Sequence, residues 1–167
     1  TLPDNTVTNF SYNPTGVLGT VTDALGQLTT YGYDAYRNLI ARQDALNRTT
    51  TYLYDELNRQ KEAATPLGRV IKWEYDALGN LTKRTDAEGK NTTYAYNNLD
   101  RLLKITYPDT KVINFAYDDR GNLTQMVDLV GTTTYGYDVF DRLVSVGNPY
   151  GQTVAYTYDA LGNLTKI

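Results

Sequence analysis

The side chains in this sequence with the means to do chemistry are carboxylates and tyrosines. Asp and Glu together number 19, Asp118 and Asp119 are adjacent, and Tyr occurs 16 times. Two neighbouring acids suggest hydrolysis of a glycoside. Clustered Asp suggests a Ca²⁺ site, and rows of Tyr offer flat faces for sugar rings. The sequence has no His and no Cys. That excludes thiol nucleophiles, Cys/His zinc sites, Ser-His-Asp triads and histidine acid–base chemistry. The Lys and Arg residues number 16 and leave a net charge of -3, which is no electrostatic footprint for nucleic acid or anionic lipid. No apolar run approaches the ~18 residues of a membrane-spanning helix.

The acids have a plainer role. Nearly every Asp stands where a turn is expected, and there its carboxylate accepts backbone N–H groups. The dense alternating acids of an EF-hand loop are missing, and a cation would need carboxylates from several hairpins. The single Trp, Trp73, occupies a position otherwise held by Tyr or Phe. An aromatic cage for a quaternary ammonium is therefore not expected. No catalytic, metal-binding or cofactor-binding residue is assigned, no cofactor is expected, and the chain does not read as an enzyme.

What positions these residues is a repeat. An aromatic, one further residue, Tyr and then Asp or Asn recur along the chain, as in Tyr31-Gly32-Tyr33-Asp34 and Trp73-Glu74-Tyr75-Asp76. The second Tyr falls at Tyr12, Tyr33, Tyr54, Tyr75, Tyr96, Tyr117, Tyr137 and Tyr158, in steps of 21 with one step of 20. Such a register marks an array of like units. The short step maps to Thr132-Thr133-Thr134, just after Gly131. A residue lost inside a strand would flip its faces, so the loss is expected to fall in the turn at Val130-Gly131.

Each unit carries two turn signals. Asp76-Ala77-Leu78-Gly79 and Asp159-Ala160-Leu161-Gly162 represent the first, and Asp23-Ala24-Leu25-Gly26 and Asp86-Ala87-Glu88-Gly89 the second. Asp first and Gly fourth fit a type I turn closed by a glycine bulge. Asn38, Asn58, Asp100 and Asp141 are expected to substitute at or near the left-handed position. Between the turns lie runs rich in Thr, Val and aromatics, such as Val112–Tyr117, and no segment has a helical apolar period. Each repeat is thus a β-hairpin, and eight hairpins give about sixteen strands. Alternation puts the two aromatics of a repeat on one face, with Leu39, Leu81, Leu102, Leu123 and Leu143 beside them. Tyr–Leu rows then stand in for a core. A closed sandwich with a core of its own is the alternative.

The period and motif resemble the YD repeats of the RHS family, found in bacterial Rhs toxins, wall-associated proteins, toxin-complex shell components and teneurins. The residues that carry the resemblance are Tyr33-Asp34, Tyr54-Asp55, Tyr75-Asp76 with Gly79, Tyr96, Tyr117-Asp118 with Gly121, Tyr137-Asp138, and Tyr158-Asp159 with Gly162. The resemblance implies an all-β chain of tandem hairpins forming a curved, spiralling antiparallel sheet, a piece of shell or solenoid. It implies a secreted or surface location, bacterial origin, and flanking YD repeats and an enclosed C-terminal toxin domain as partners. No Asp-Pro-x-Gly ending is present, so autoproteolysis is carried over to no residue.

Residues 1–167 are expected to be a single array of about eight repeats. Thr1-Leu2-Pro3 carries neither a starting Met nor a signal pattern, and the last residue, Ile167, follows a turn, so a fragment of a larger protein is expected. Its open edges invite edge-to-edge self-association. Glycan or cell-surface ligand binding by exposed Tyr is the second functional reading. Asn9, Asn47, Asn80, Asn91, Asn122 and Asn163 head Asn-x-Ser/Thr sequences, three of them explained by Gly-Asn-Leu-Thr turns. Arg37, Arg59, Arg101, Arg120 and Arg142 read as a solvated turn surface.

Overall fold

A computed structural model describes residues 7–167; Thr1-Leu2-Pro3 lies outside them. Every described element is a strand. In chain order these are β1 Asn9–Tyr12, β2 Leu18–Thr22, β3 Leu28–Tyr33, β4 Leu39–Gln43, β5 Thr49–Tyr54, β6 Gln60–Ala64, β7 Val70–Tyr75 and β8 Leu81–Thr85. There follow β9 Asn91–Tyr96, β10 Leu102–Thr106, β11 Val112–Tyr117, β12 Leu123–Val127, β13 Thr132–Tyr137, β14 Leu143–Gly147, β15 Thr153–Ala155, β16 Thr157–Tyr158 and β17 Leu164–Lys166. Strands β1 to β15 are hydrogen-bonded in sequence order, and β16 pairs with β17 as a separate ribbon. The eighth hairpin is thereby cut in two at Tyr156, whose N–H donates to the Val144 carbonyl at 2.9 Å.

The fold divides into two compact units. One runs up to Glu74 and takes in Arg84–Lys90; the other comprises Tyr75–Lys83 and Asn91–Ile167. Both are built from the same hairpin. In the first, Tyr33 lies opposite Leu39; in the second, Tyr96 lies opposite Leu102, Tyr117 opposite Leu123 and Tyr137 opposite Leu143. Aromatic thus faces aliphatic across the pair, as alternation requires. No described side chain falls in the buried class. A sandwich would hide one face of each sheet; here the Tyr–Leu rows are half-buried and serve as the apolar contact.

Two turn classes alternate. The turns after each second Tyr are here called Tyr-Asp turns, and those that lead back are return turns. Both close the same way: Asp76 N–H donates to the Asn80 carbonyl at 3.0 Å and Gly79 N–H to the Asp76 carbonyl at 3.2 Å, matched in the return turn by Asp86 to Lys90 and Gly89 to Asp86. The fourth residue has positive φ, 98° at Gly79 and 85° at Gly162. Asn58, Asp100 and Asp141 fill that slot at 60°, 58° and 60°. In the second repeat it is Arg37, at 69°, and not the neighbouring Asn38. The reason is spacing: Arg37 is third after Asp34, and Asn38 is already the closing residue whose carbonyl accepts the Asp34 N–H. Thr110 also takes a positive φ, 70°, although β-branched residues avoid it.

The one-residue loss falls in the return turn. Asp128 N–H donates to the carbonyl of Gly131, three residues on, whereas elsewhere the acceptor is four on. Strand β13 keeps six residues and its register, with Val127 opposite Thr132. Gly131 carries φ 139°, and a Cβ there would stand 2.9 Å from Cβ of Pro149. The shortened turn therefore needs glycine twice over.

A second bulge has no signal in turn chemistry. Gly32 opposes Ala41 but Tyr33 opposes Leu39, so Ile40 has no partner; Leu103, Thr124 and Val144 occupy the same slot. Such an extra residue adds twist to the hairpin.

Candidate functional site

The polar groups of the sequence converge on the Tyr-Asp turns. In those that open with Asp, the leading carboxylate accepts the N–H groups two and four residues on. Asp76 takes Leu78 and Asn80 at 3.0 and 2.8 Å, Asp118 takes Arg120 and Asn122 at 3.0 and 2.8 Å, and Asp138 takes Phe140 and Arg142 at 2.8 and 3.0 Å. Asp34, Asp55 and Asp159 do the same. The second oxygen receives the side chain four residues on. Asn38, Asn80, Asn122 and Asn163 donate to Asp34, Asp76, Asp118 and Asp159 at 2.9, 3.1, 3.1 and 2.9 Å. Arg59 and Arg142 donate through Nε to Asp55 and Asp138, both at 2.7 Å.

These carboxylates are held in the ionised form. At Asp34, Asp76, Asp118 and Asp138 desolvation pushes the pKa up, but the Asn or Arg side chain and the turn N–H groups outweigh it and leave the group below its ordinary 3.8. At Asp159 the Asn163 side chain is the main cause of the same lowering, and at Asp55 the Arg59 N–H is. An acid pair for hydrolysis needs one carboxyl kept protonated. Asp118 is the reverse case, and Asp119 points to solvent at the turn apex. Among the described residues no group of three or more acids could hold a metal ion.

Bonds also run from each repeat to the next. Hydroxyls of Tyr54, Tyr96, Tyr117 and Tyr158 donate to carbonyls of Leu39, Leu81, Leu102 and Leu143, fifteen residues back, at 3.0, 3.0, 3.0 and 2.8 Å. These four hydroxyls are thus committed to main-chain acceptors of the preceding repeat. Burial beside Leu, then the neighbouring Tyr and Asp, pushes the phenols of Tyr54, Tyr96 and Tyr137 above their ordinary 10.0.

Arginine forms a second set of links. Arg101 Nη1 donates to the Asp118 carbonyl at 3.0 Å and Arg142 Nη1 to the Asp159 carbonyl at 3.4 Å. Their guanidinium carbons sit 5.3 and 4.7 Å from the ring centres of Tyr117 and Tyr158, within cation–π range. The reading of Arg101 and Arg142 as solvated surface is therefore corrected. Arg101 Nε is wholly enclosed and has no acceptor, because its turn begins with Asn97. The Asn97 carbonyl oxygen is taken by Leu99 and Arg101 N–H, and its other side-chain atom is a donor. No local pattern announces these links; they are visible only when repeats are written beneath one another.

Two shallow grooves lie beside paired tyrosines. One, of about 480 Å³, is lined by Asp118, Thr124, Tyr135, Tyr137 and Asp141 among others. Its counterpart in the other unit, of about 460 Å³, has Asp34, Ile40, Tyr52, Tyr54 and Asn58 at equivalent positions. Both are open, and neither gathers a catalytic constellation. Among the described residues no helix is long and apolar enough to cross a membrane.

The RHS Repeat family model matches five times, at residues 12–49, 54–90, 75–112, 96–132 and 117–153. No protein with a curated description matches. Among solved structures, a TcdB2-TccC3-Cdc42 crystal structure aligns at a TM-score of 0.75 with 20% identity over 96% of this chain and 11% of its own. A Photorhabdus luminescens Tc holotoxin pore containing a TccC3 variant aligns at 0.66 with 22% identity over 83% of this chain and 9% of its own. The chain thus spans about a tenth of the length of the structures it matches, and at this identity the likeness is one of fold. Repeats placed by the family model across most of the sequence, each spanning three full strands of the ladder, show that the chain belongs to the RHS repeat family.

Proposed function

We propose that this chain is a structural segment of an RHS-type protein, contributing β-sheet to the wall of a shell or scaffold that helps enclose a C-terminal toxin domain of the same polypeptide. The observation that carries the reading is the ladder itself: fifteen strands in sequence order, with no buried core among the described residues. The work of such a ladder is to extend a hydrogen-bonded surface from one repeat to the next. The Tyr-Asp motif residues, from Tyr33-Asp34 to Tyr158-Asp159, act in it as turn closures and repeat-to-repeat clasps. The segment carries out no chemistry of its own. It works outside the producing cell, secreted or at a surface, and is of bacterial origin, a reading supported by its likeness in fold to the Tc toxin structures.

Flanking repeats are its first partners, and an isolated segment offers unpaired strand edges to further copies. Sedimentation velocity across a concentration series should therefore show association, whereas a monomer at every concentration would remove that expectation. Enclosure is tested on the longer protein with its native flanks. Digestion with a broad protease, followed by mass spectrometry, should leave a downstream domain intact while that domain alone is degraded. Equal loss of both would remove the enclosing role.

Glycan binding is a second reading, supported by the groove beside Tyr135 and Tyr137 with the carboxylates of Asp118 and Asp141 at its rim. A glycan array with the wild type and Tyr135→Ala decides it, since binding that is absent, or unchanged by the substitution, removes this reading.

A further inference from the structure

From the second repeat on, the residue that closes each Tyr-Asp turn alternates between two types: Asn38, Arg59, Asn80, Arg101, Asn122, Arg142, Asn163; Val17 closes the first. The residue before it, at positive φ, varies with it from the third repeat on, Asn38 being preceded by Arg37. Asn80, Asn122 and Asn163 follow Gly79, Gly121 and Gly162, whereas Arg59, Arg101 and Arg142 follow Asn58, Asp100 and Asp141.

The geometry pairs each kind with the other. An Asn keeps one amide hydrogen on its own turn and gives the other to the positive-φ side chain of the next repeat. Asn38 donates to Asn58, Asn80 to Asp100 and Asn122 to Asp141, each at 2.8 Å. An Arg instead reaches the main-chain carbonyl that opens the next turn, passing over the positive-φ position. There the next repeat has glycine: a Cβ on Gly121 would stand 3.4 Å from Arg101 Nη1, and one on Gly162 3.9 Å from Arg142 Nη1. Asn thus requires an Asp or Asn carbonyl or carboxylate oxygen, and Arg packs over glycine, where the first atom of a side chain would already reach van der Waals contact with the guanidinium.

We propose that the array is built from two kinds of repeat that select each other as neighbours, and that the hairpin β16–β17 is a docking edge for a repeat of the Arg kind. Asn163 makes the first of its two bonds, to Asp159 at 2.9 Å, and presents the second hydrogen outward. The Leu164 carbonyl stands where those of Leu39, Leu81, Leu102 and Leu143 accept a Tyr hydroxyl. The occupant is a further repeat continuing the array, with Asp or Asn at positive φ, Arg after it and Tyr fifteen residues beyond Leu164. The argument is continuity with the junctions already formed at Asn80 and Asn122. A second copy stacked head to tail brings Gly16 and Val17 to the selecting positions and offers Asn163 no acceptor. The proposal rests on the array reading above but concerns junction strength, so it stands or falls separately from enclosure.

The test appends a copy of residues 85–106 after Ile167, an Arg-kind repeat in the register that follows Asn80, which places its Tyr fifteen residues beyond Leu164. A control carries Asp100→Gly and Arg101→Asn in the appended copy alone, turning it into the Asn kind. Hydrogen exchange at residues 164–166 should be slowed roughly fivefold more by the first than by the control, the factor expected of one hydrogen bond. Equal protection, including none from either, overturns the proposal. A second test lies within the chain. Asn122→Arg with Asp141→Gly rebuilds an Arg–glycine junction and should be more stable than the sum of the two single variants; strict additivity overturns it.

Discussion

The two edges of the ladder are made from one turn chemistry and are put to different use. Along the Tyr-Asp edge, amide, guanidinium and phenol groups cross from repeat to repeat, at Asn80, Arg101, Asn122 and Arg142 and at the Tyr hydroxyls. Along the return edge the turns close on themselves. Contacts between successive turns there include an exposed Arg69–Glu88 pair at 3.7 Å and the approach of Gly131 to Pro149. The variable features collect on that edge too: Thr65 and Tyr107 in place of Asp, the left-handed Thr110, and the turn that lost a residue. An edge whose side chains span neighbouring repeats fixes spacing, and an edge that closes locally tolerates change.

Titration separates the edges most strongly. Of the carboxylates held below 3.8, Asp34, Asp55, Asp76, Asp118, Asp138 and Asp159 lie on the Tyr-Asp edge, and Asp44 and Asp109 on the return edge. A depressed folded pKa contributes stability above the unfolded value and loses it as pH falls through the folded one. The thermal midpoint should therefore hold at neutral pH and fall steeply below about pH 4. Tyr54, Tyr96 and Tyr137 have raised values, so their contribution is complete below pH 10.0 and is lost as pH rises past it. A midpoint that stays flat from pH 2 to 7 would break the comparison.

Single substitutions sharpen it. Asp118→Ala removes the acceptor of two N–H groups and of Asn122, which itself bridges to Asp141; Asp86→Ala removes only the acceptor of Glu88 and Lys90 N–H. The Tm should drop by ~5 °C for Asp118→Ala and clearly less for Asp86→Ala in calorimetry. Tyr96→Phe loses its bond to the Leu81 carbonyl and should cost about 1 kcal/mol in urea unfolding. Tyr107→Phe, on the return edge, should cost nearly nothing. Asn97→Asp gives the enclosed Arg101 Nε the acceptor that Asp138 gives Arg142, and should stabilise by about 1 kcal/mol. A double-mutant cycle on Arg69 and Glu88 should give a coupling below about 0.5 kcal/mol.

The hairpin frame and the shortened return turn were legible because each is a local signal. Asp followed three residues later by Gly marks a turn, Thr-Thr-Tyr-Ala-Tyr marks a strand, and the step from Tyr117 to Tyr137 locates the missing residue. Asn38 was legible only as at or near the left-handed position, since Asn has the stronger left-handed preference but the count from Asp34 gives the slot to Arg37. Thr110 was invisible because propensity argues against it; strands β10 and β11, paired through Thr106 and Val112, hold the turn at five residues and impose the conformation. The bulges at Ile40 and Val144 leave no mark in residue type. The Asn, Arg and Tyr links have partners fifteen to twenty residues away. They become readable only through the alternation of closing residues, a period of two repeats hidden beneath the period of one.

The most direct measurement of the central claim is residue-resolved native hydrogen exchange on this segment. The amides of Asp76, Asp118 and Asp138, which close Tyr-Asp turns, should exchange at least tenfold more slowly than those of Asp86, Tyr107 and Asp128, which close return turns, an order-of-magnitude ratio for linked against local closure. Equal protection on the two edges, or slower exchange at the return turns, would contradict the account of an array held in register from one side.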